Sequence, residues 1–226
     1  MSRASRKTYR AVVFDMDGVL ADSEPVYFEA ANAVLAPLGK RVTETQQRAV
    51  MGHSIEDTWA YLARELELQG PLEALVAAYD VELRRRLAQV REPLPGVRET
   101  IAGLKERRVP IAVASSSLPE WIEALLGGIG LLGAFDAAVS AREAARPKPA
   151  PDVYLLAARR LGVPASCCIA LEDTPTGLAS AKAAGMLAVQ VRASSTAFPP
   201  LPDADLVLAS LLDFDFSLVE EGTKGA

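Results

Sequence analysis

Three apolar runs, far apart in the chain, each stop on polar residues with chemistry to offer, and this limits the folds open to the sequence. Ala11-Val12-Val13-Phe14 leads into Asp15-Met16-Asp17-Gly18, Ile111-Ala112-Val113-Ala114 into Ser115-Ser116-Ser117, and Cys168-Ile169-Ala170-Leu171 into Glu172-Asp173. Runs without a polar face suit strands covered on both sides, as in a parallel sheet. In such sheets ligands bind beyond the carboxyl ends of the strands. Three parallel neighbours would bring Asp15, Asp17, Glu172, Asp173 and a cluster of hydroxyls to one edge. That much negative charge calls for a cation.

The rest of the chain supports a sheet of this kind. Helical patterns near 97–107, 118–127, 151–162 and 175–184 alternate with strand patterns near 109–114, 135–139, 168–172, 187–191 and 206–208. Such alternation predicts a doubly wound, Rossmann-like α/β fold. Between the first two apolar runs the periodicity is helical throughout. Ile55, Trp59, Leu62 and Leu66 form a stripe, which Leu72, Leu75, Val76, Tyr79, Leu83, Leu87 and Val90 continue after Pro71, a helix start. A further helix is expected from Glu24 to Leu38, ending at Gly39. The expected organisation is an α/β core, residues 1–20 and 93–226, with an all-helical insert at 21–92 and a turn-rich hinge at Glu92-Pro93-Leu94-Pro95-Gly96.

Asp15 and Asp17 lie two apart at a strand end, so their side chains can leave on one side. Two carboxylates this close cannot both ionise cheaply without a cation, and their pKa values are driven apart. The alternative is a plain Asp-rich turn, or, for Glu172 and Asp173, a cap on the following helix at Thr174-Pro175. Capping explains one acid of that pair, not both. Two facing acidic pairs make an oxygen-rich site for a hard cation such as magnesium. Ser117-Leu118-Pro119-Glu120 fits a capping box with Ser117 as N-cap, which leaves Ser115 and Ser116 in a phosphate-suited turn before a helix. Lys148, between Pro147 and Pro149, is a held cation that can offset phosphoryl charge, with Arg146 as competitor.

The chain carries 24 Lys and Arg against 29 Asp and Glu, a net charge of −5. That balance argues against nucleic acid as a partner. No run of about 18 apolar residues suggests a membrane span, and the N-terminus lacks a signal-peptide core. A cytoplasmic protein, monomeric or weakly dimeric, is expected. Cys167 and Cys168 are neighbours in a strand, pointing to opposite faces, which suits neither a disulfide nor a metal pair. His53 is the sole histidine, so no histidine-rich zinc site is available.

Taken together, Phe14-Asp15-Met16-Asp17-Gly18-Val19-Leu20, Ser115, Lys148 within Arg146-Pro147-Lys148-Pro149-Ala150-Pro151-Asp152-Val153-Tyr154, and Leu171-Glu172-Asp173-Thr174 with Gly177 resemble the haloacid dehalogenase superfamily of phosphotransferases over nearly the whole chain. The insert is similar to the cap of its β-phosphoglucomutase and sugar-phosphatase branch. The resemblance implies Asp15 as nucleophile, Asp17 as general acid and base, and Ser115 and Lys148 on the phosphoryl oxygens. It implies Mg2+ on Asp15, the backbone carbonyl of Asp17, and Asp173, with Glu172 direct or through water. A mutase of this branch carries His at Tyr27, Arg at Ile55 and Lys-Asn at Leu118-Pro119, so the resemblance implies a phosphatase of small phosphomonoesters, with a mutase or a non-catalytic binding protein as the alternatives. Glu24, Tyr27, His53, Glu56 and Trp59 are the candidate substrate contacts of the insert, Trp59 also reading as a core residue.

Overall fold

The structure is a computed structural model and describes residues 8–50, 55–195 and 197–222. Six strands form one parallel sheet: β1 (Ala11–Phe14), β2 (Ile111–Ser115), β3 (Ala137–Ser140), β4 (Cys168–Glu172), β5 (Leu187–Val191) and β6 (Leu206–Leu208), in the order β3-β2-β1-β4-β5-β6. The order reverses around β1, so a crevice opens at its carboxyl end. Register brings the three apolar runs level there. Phe14 pairs with Val113 on one side and with Leu171 on the other.

The pleat sends alternate side chains of these runs to opposite faces. Val12, Phe14, Ile111, Val113, Ile169 and Leu171 face one apolar cluster, and Ala11, Val13, Ala112, Ala114, Cys168 and Ala170 face another. The first face carries bulky residues and is covered by α5 (Val97–Glu106) and α6 (Pro119–Gly128). The second is mostly alanine, which lets α7 (Asp152–Arg160) and α8 (Pro175–Ala183) lie close.

Among the described residues, four α-helices lie between β1 and α5: α1 (Glu24–Leu35), α2 (Glu44–Val50), α3 (Ile55–Glu65) and α4 (Leu72–Leu87). The helix expected from Glu24 to Leu38 tightens at its end into a 3-10 turn, Ala36–Leu38, closed by Gly39 in the left-handed region. Pro37 lacks the N–H that would continue the α pattern. Helix α2 has no apolar stripe to betray it, since Val50 is its one buried residue.

The insert shares its apolar cluster with the core: Leu35, Trp59, Leu62, Tyr79, Leu83 and Leu87 join Trp121 and Leu125 of α6. Gly128 lets α6 approach α4 closely, because a Cβ there would stand 2.7 Å from the carbonyl oxygens of Leu87 and Val90. The two connectors are joined by the Leu94 N–H donating to the Leu20 carbonyl at 2.9 Å.

Because Leu83 is fully buried in this shared cluster, Leu83→Ala is expected to cost about 2–5 kcal/mol. Leu212→Ala, at a residue 64% exposed, should stay within about 0.5 kcal/mol. Equilibrium urea unfolding measures both; equal, small losses would show that the insert does not share the core.

Candidate active site

The residues after β1, β2 and β4 meet around one point. The Asp15 N–H donates to the Leu171 carbonyl at 2.8 Å, carrying the sheet ladder one residue past β1. Gly18 then turns the chain at φ +76°, and a Cβ there would lie 2.0 Å from Asp173 Oδ2. Only glycine allows both the turn and this approach. Carboxylate oxygens of Asp15, Glu172 and Asp173 lie within 4.8 Å of one another, and all three residues are buried.

Lys148 is the counter-charge. Its Nζ donates to Asp15 Oδ1 and Glu172 Oε1, both at 2.6 Å, and to the Ala114 carbonyl at 3.2 Å. An ammonium has three protons, and all three are used. The Nζ also lies 5.0 Å from the centre of the Tyr154 ring. Arg146, the competitor, points outward to Asp152 at 2.9 Å with its side chain 68% exposed.

Glu172 and Asp173 differ in how they are held. Glu172 Oε1 accepts from Lys148 and from the Tyr154 hydroxyl at 2.8 Å, while its Oε2 accepts from the N–H groups of Asp173 and Thr174 and from the Thr174 hydroxyl. Gly177 makes room for it, since a Cβ there would stand 1.8 Å from Oε1. Thr174 caps α8 by accepting the Gly177 N–H at 3.1 Å. Asp173 Oδ1, by contrast, is buried without a hydrogen-bond partner among the described residues.

Asp17 stands outside the trio, although the sequence grouped its carboxylate with the cation. Its Oδ1 accepts from the Ser23 hydroxyl at 2.5 Å and its Oδ2 from Ser117 at 3.0 Å. Ser117 is therefore not the N-cap of α6. That position falls to Leu118, extended as a residue before proline must be, and it makes no side-chain cap bond. Ser115 is fully buried and its oxygen accepts the Ser117 N–H at 3.0 Å, whereas Ser116 is exposed and lines the site.

The electrostatics follow from burial. Asp15 is pushed up to about 8, first by desolvation and then by Glu172 and Asp17, against the pull of Lys148. Desolvation also drives Asp173 well above the carboxylate range, helped by Glu172 and Asp15. Asp17 is raised by burial, with Ser23, Ser117 and Tyr27 pulling it back. Burial opposes the charge on Lys148, but Asp15 and Glu172 outweigh it and the ammonium is held more firmly than usual. Once all three ionise, three buried carboxylates against one ammonium leave an excess of negative charge. With an unpartnered Asp173 oxygen and oxygen-only donors, the site fits a hard divalent cation.

A cavity of about 400 Å3 opens over these groups. Asp15, Asp17, Ser116, Lys148 and Asp173 line its core side. Glu24, Tyr27, Gln47, Trp59 and Tyr79 line it from the insert. Glu24 accepts from the Gln47 amide at 3.2 Å, and burial, then Asp17, lifts it to about 6. Trp59 serves both readings: fully buried, it packs edge to face on Tyr79 at 5.2 Å and also lines the cavity. Glu56 pairs with Arg142 across the rim at 2.8 Å. His53 lies outside the described residues. A separate depression of about 560 Å3 runs past Arg146 and Arg159, away from the carboxylates.

A family model for haloacid dehalogenase-like hydrolases matches residues 9–185. The chain belongs to that family. It is 38% identical to the fructose-1-phosphate phosphatase YqaB of Escherichia coli K12 over 81% of this chain and 97% of that protein. It is 36% identical to hexitol phosphatase B of the same organism, over 90% and 93%. Among solved structures, CbbY from Rhodobacter sphaeroides in complex with phosphate is similar at a TM-score of 0.77 and 27% identity, covering 91% of this chain and 96% of that one. Four residues of this haloacid dehalogenase-like site were not visible as site residues in the sequence: Ser23, Gln47, Ser117 in its contact with Asp17, and Tyr154. Two of them had a signal: Ser117 in the hydroxyl cluster after β2, and Tyr154 in the run that follows Lys148.

Asp15 and Asp173 hold protons in the folded protein that the unfolded chain releases near the ordinary carboxylate pKa of 3.8. Stability in EDTA should therefore fall as pH rises from about 4 towards 8. A divalent cation stabilises the ionised trio, so added MgCl2 should raise Tm more at pH 8 than at pH 5. Differential scanning fluorimetry measures this, and a shift independent of pH would contradict the assigned cation site.

Proposed function

We propose that this phosphatase acts on small sugar or polyol monophosphates, with Mg2+, through an aspartyl phosphate on Asp15. The observation that carries the reading is the shared position of Lys148, Asp15 and Asp173, backed by Glu172, on one wall of a cavity that the insert closes from the other side.

In this reading Asp15, Asp173 and the Asp17 carbonyl hold Mg2+, with Glu172 behind them, and the ion when bound draws negative charge from the phosphoryl oxygens. An oxygen of Asp15 attacks phosphorus and the bond to the alcohol oxygen breaks. Lys148, fully charged beside Asp15, offsets the charge that gathers there. Ser115, the last residue of β2, and Ser116, on the cavity wall, would receive the phosphoryl oxygens. Asp17 gives its proton to the leaving alcohol and then takes one from the water that attacks the aspartyl phosphate. Burial raises its pKa, the direction that favours a proton donor. The helical segment, residues 21–92, acts as a cap on the core of residues 1–20 and 93–226 and keeps bulk water from the phosphoryl group.

The substrate class is supported from two directions. One relative is named a fructose-1-phosphate phosphatase and another a hexitol phosphatase. The cavity offers Glu24, Gln47 and Thr58 to hydroxyl groups, and the rings of Tyr27, Trp59, Tyr79 and Trp121 to carbon faces. Its cationic lining residues, among those described, are Lys148 and Arg142, and both are already paired with carboxylates. Ile55 lines the wall as an apolar residue in the place where the resemblance puts a mutase's arginine. A second anionic group on the substrate therefore finds no partner. The protein is proposed to work as a monomer or weak dimer, and the free thiols of Cys167 and Cys168 suit the reducing cytoplasm.

Phosphate release should be magnesium-dependent and lost in EDTA and in Asp15→Asn. Over a panel, kcat/KM for sorbitol 6-phosphate or fructose 1-phosphate should exceed that for fructose 1,6-bisphosphate and 6-phosphogluconate by about tenfold, a difference of ~1.4 kcal/mol. Release from none of these esters, or release that survives Asp15→Asn, would overturn the mechanism. A preference for the doubly charged esters would overturn the substrate class.

A further inference from the structure

The geometry points to Tyr27 as a positioning residue for Asp17, acting through Ser117, so that the acid is fully oriented only when the helical insert is seated on the core. The inference rests on the phosphatase reading above. Tyr27 lies on α1 of the insert and Ser117 on the core, just after β2; their hydroxyl oxygens are 2.9 Å apart. Ser117 donates to Asp17 Oδ2 at 3.0 Å. A hydroxyl has one proton. Once that of Ser117 is committed to the Asp17 carboxylate, Tyr27 must be the donor in the contact between them. Ser23 holds the other oxygen, Oδ1. Asp17 is thus gripped on both oxygens: Ser23, at the foot of the insert, holds one directly, and the insert's Tyr27 sets the other through the core's Ser117.

The hydroxyl of Tyr27 is delivered by the surfaces that seat the insert. Its ring meets Trp121 of α6 edge to face at 5.9 Å, and Tyr79 of α4 meets the same indole at 6.0 Å. The Trp121 Nε1–H donates to Asp80 Oδ1 on α4 at 2.7 Å. All three contacts cross from insert to core. Burial, then the charge on Asp17, keeps the Tyr27 phenol protonated and able to donate.

The proton movements served are balanced. The Asp17 carboxyl gives its proton to the alcohol oxygen as the bond from phosphorus to that oxygen breaks. Asp17 then takes a proton from water as the water oxygen attacks phosphorus and the bond to Asp15 breaks, so ester plus water gives alcohol plus inorganic phosphate. A misaligned carboxyl slows the first transfer most when the leaving oxygen is strongly basic. An alkoxide needs that proton, whereas p-nitrophenolate leaves without it.

The test is the ratio of kcat/KM for sorbitol 6-phosphate to that for p-nitrophenyl phosphate, with Mg2+ present. Tyr27→Phe keeps the ring and should lower this ratio about tenfold, a part of the 10²–10⁴ that general acid catalysis supplies. Ser117→Ala should do the same, and the double variant should lose no more than either alone, because both act along one path. A merely structural role lowers both rates together and leaves the ratio where it was, which overturns the inference, as do additive losses in the double variant. A wild-type protein that hydrolyses neither ester overturns the phosphatase reading and the inference together. Activity on both esters with an unmoved ratio overturns the inference alone.

Discussion

Three carboxylates buried at the end of a parallel sheet, answered by one lysine, are the constraint around which this protein is built. Burying a carboxylate costs several kcal/mol unless it is paired, and the Lys148 ammonium, with its three bonds, pairs two of the three. The third, Asp173, keeps an oxygen without a partner among the described residues. That imbalance is costly to a folded chain and useful to a catalyst. It makes the site one fitted to a cation. The neighbourhood is shaped to keep the acids close: Gly18 and Gly177 stand where any side chain would collide with Asp173 or Glu172.

The division of labour between the two acids after β4 follows from hydrogen bonding. Glu172 has both oxygens engaged, by Lys148 and Tyr154 on one side and by the start of α8 on the other. It holds the lysine, and Asp173 faces the cavity. A similar contrast separates Asp15 from Asp17. One meets an ammonium and two further carboxylates, the other a cradle of hydroxyls. Two aspartates two residues apart thus receive different environments, which is the condition for giving them different proton chemistry.

Much of the fold was legible because its signals are local. A run covered on both faces is apolar throughout, and β1, β2 and β4 lie where such runs were read. Helix α3 announced itself through Trp59 and Leu62, whereas α2 buries only Val50 and left no periodic trace. The capping box read at Ser117 failed for a specific reason. The motif is local, but the hydroxyl found stronger partners in Asp17 and Tyr27, 100 and 90 residues away in sequence.

By itself the sequence determined where the strands run, where they end, and therefore that Asp15, Asp17, Ser115, Glu172 and Asp173 gather near one edge. Burial pattern and turn chemistry depend on neighbours along the chain, and those are written in order. Only the tertiary structure decided that Lys148 rather than Arg146 reaches the acids, that Asp17 is held by Ser23 and Ser117, and that the insert lends Tyr27 to that grip. Each of those choices is a competition among hydrogen-bond partners, and sheet register and helix packing settle it. Lys148 and Asp15 are 133 residues apart, and no local pattern carries that distance.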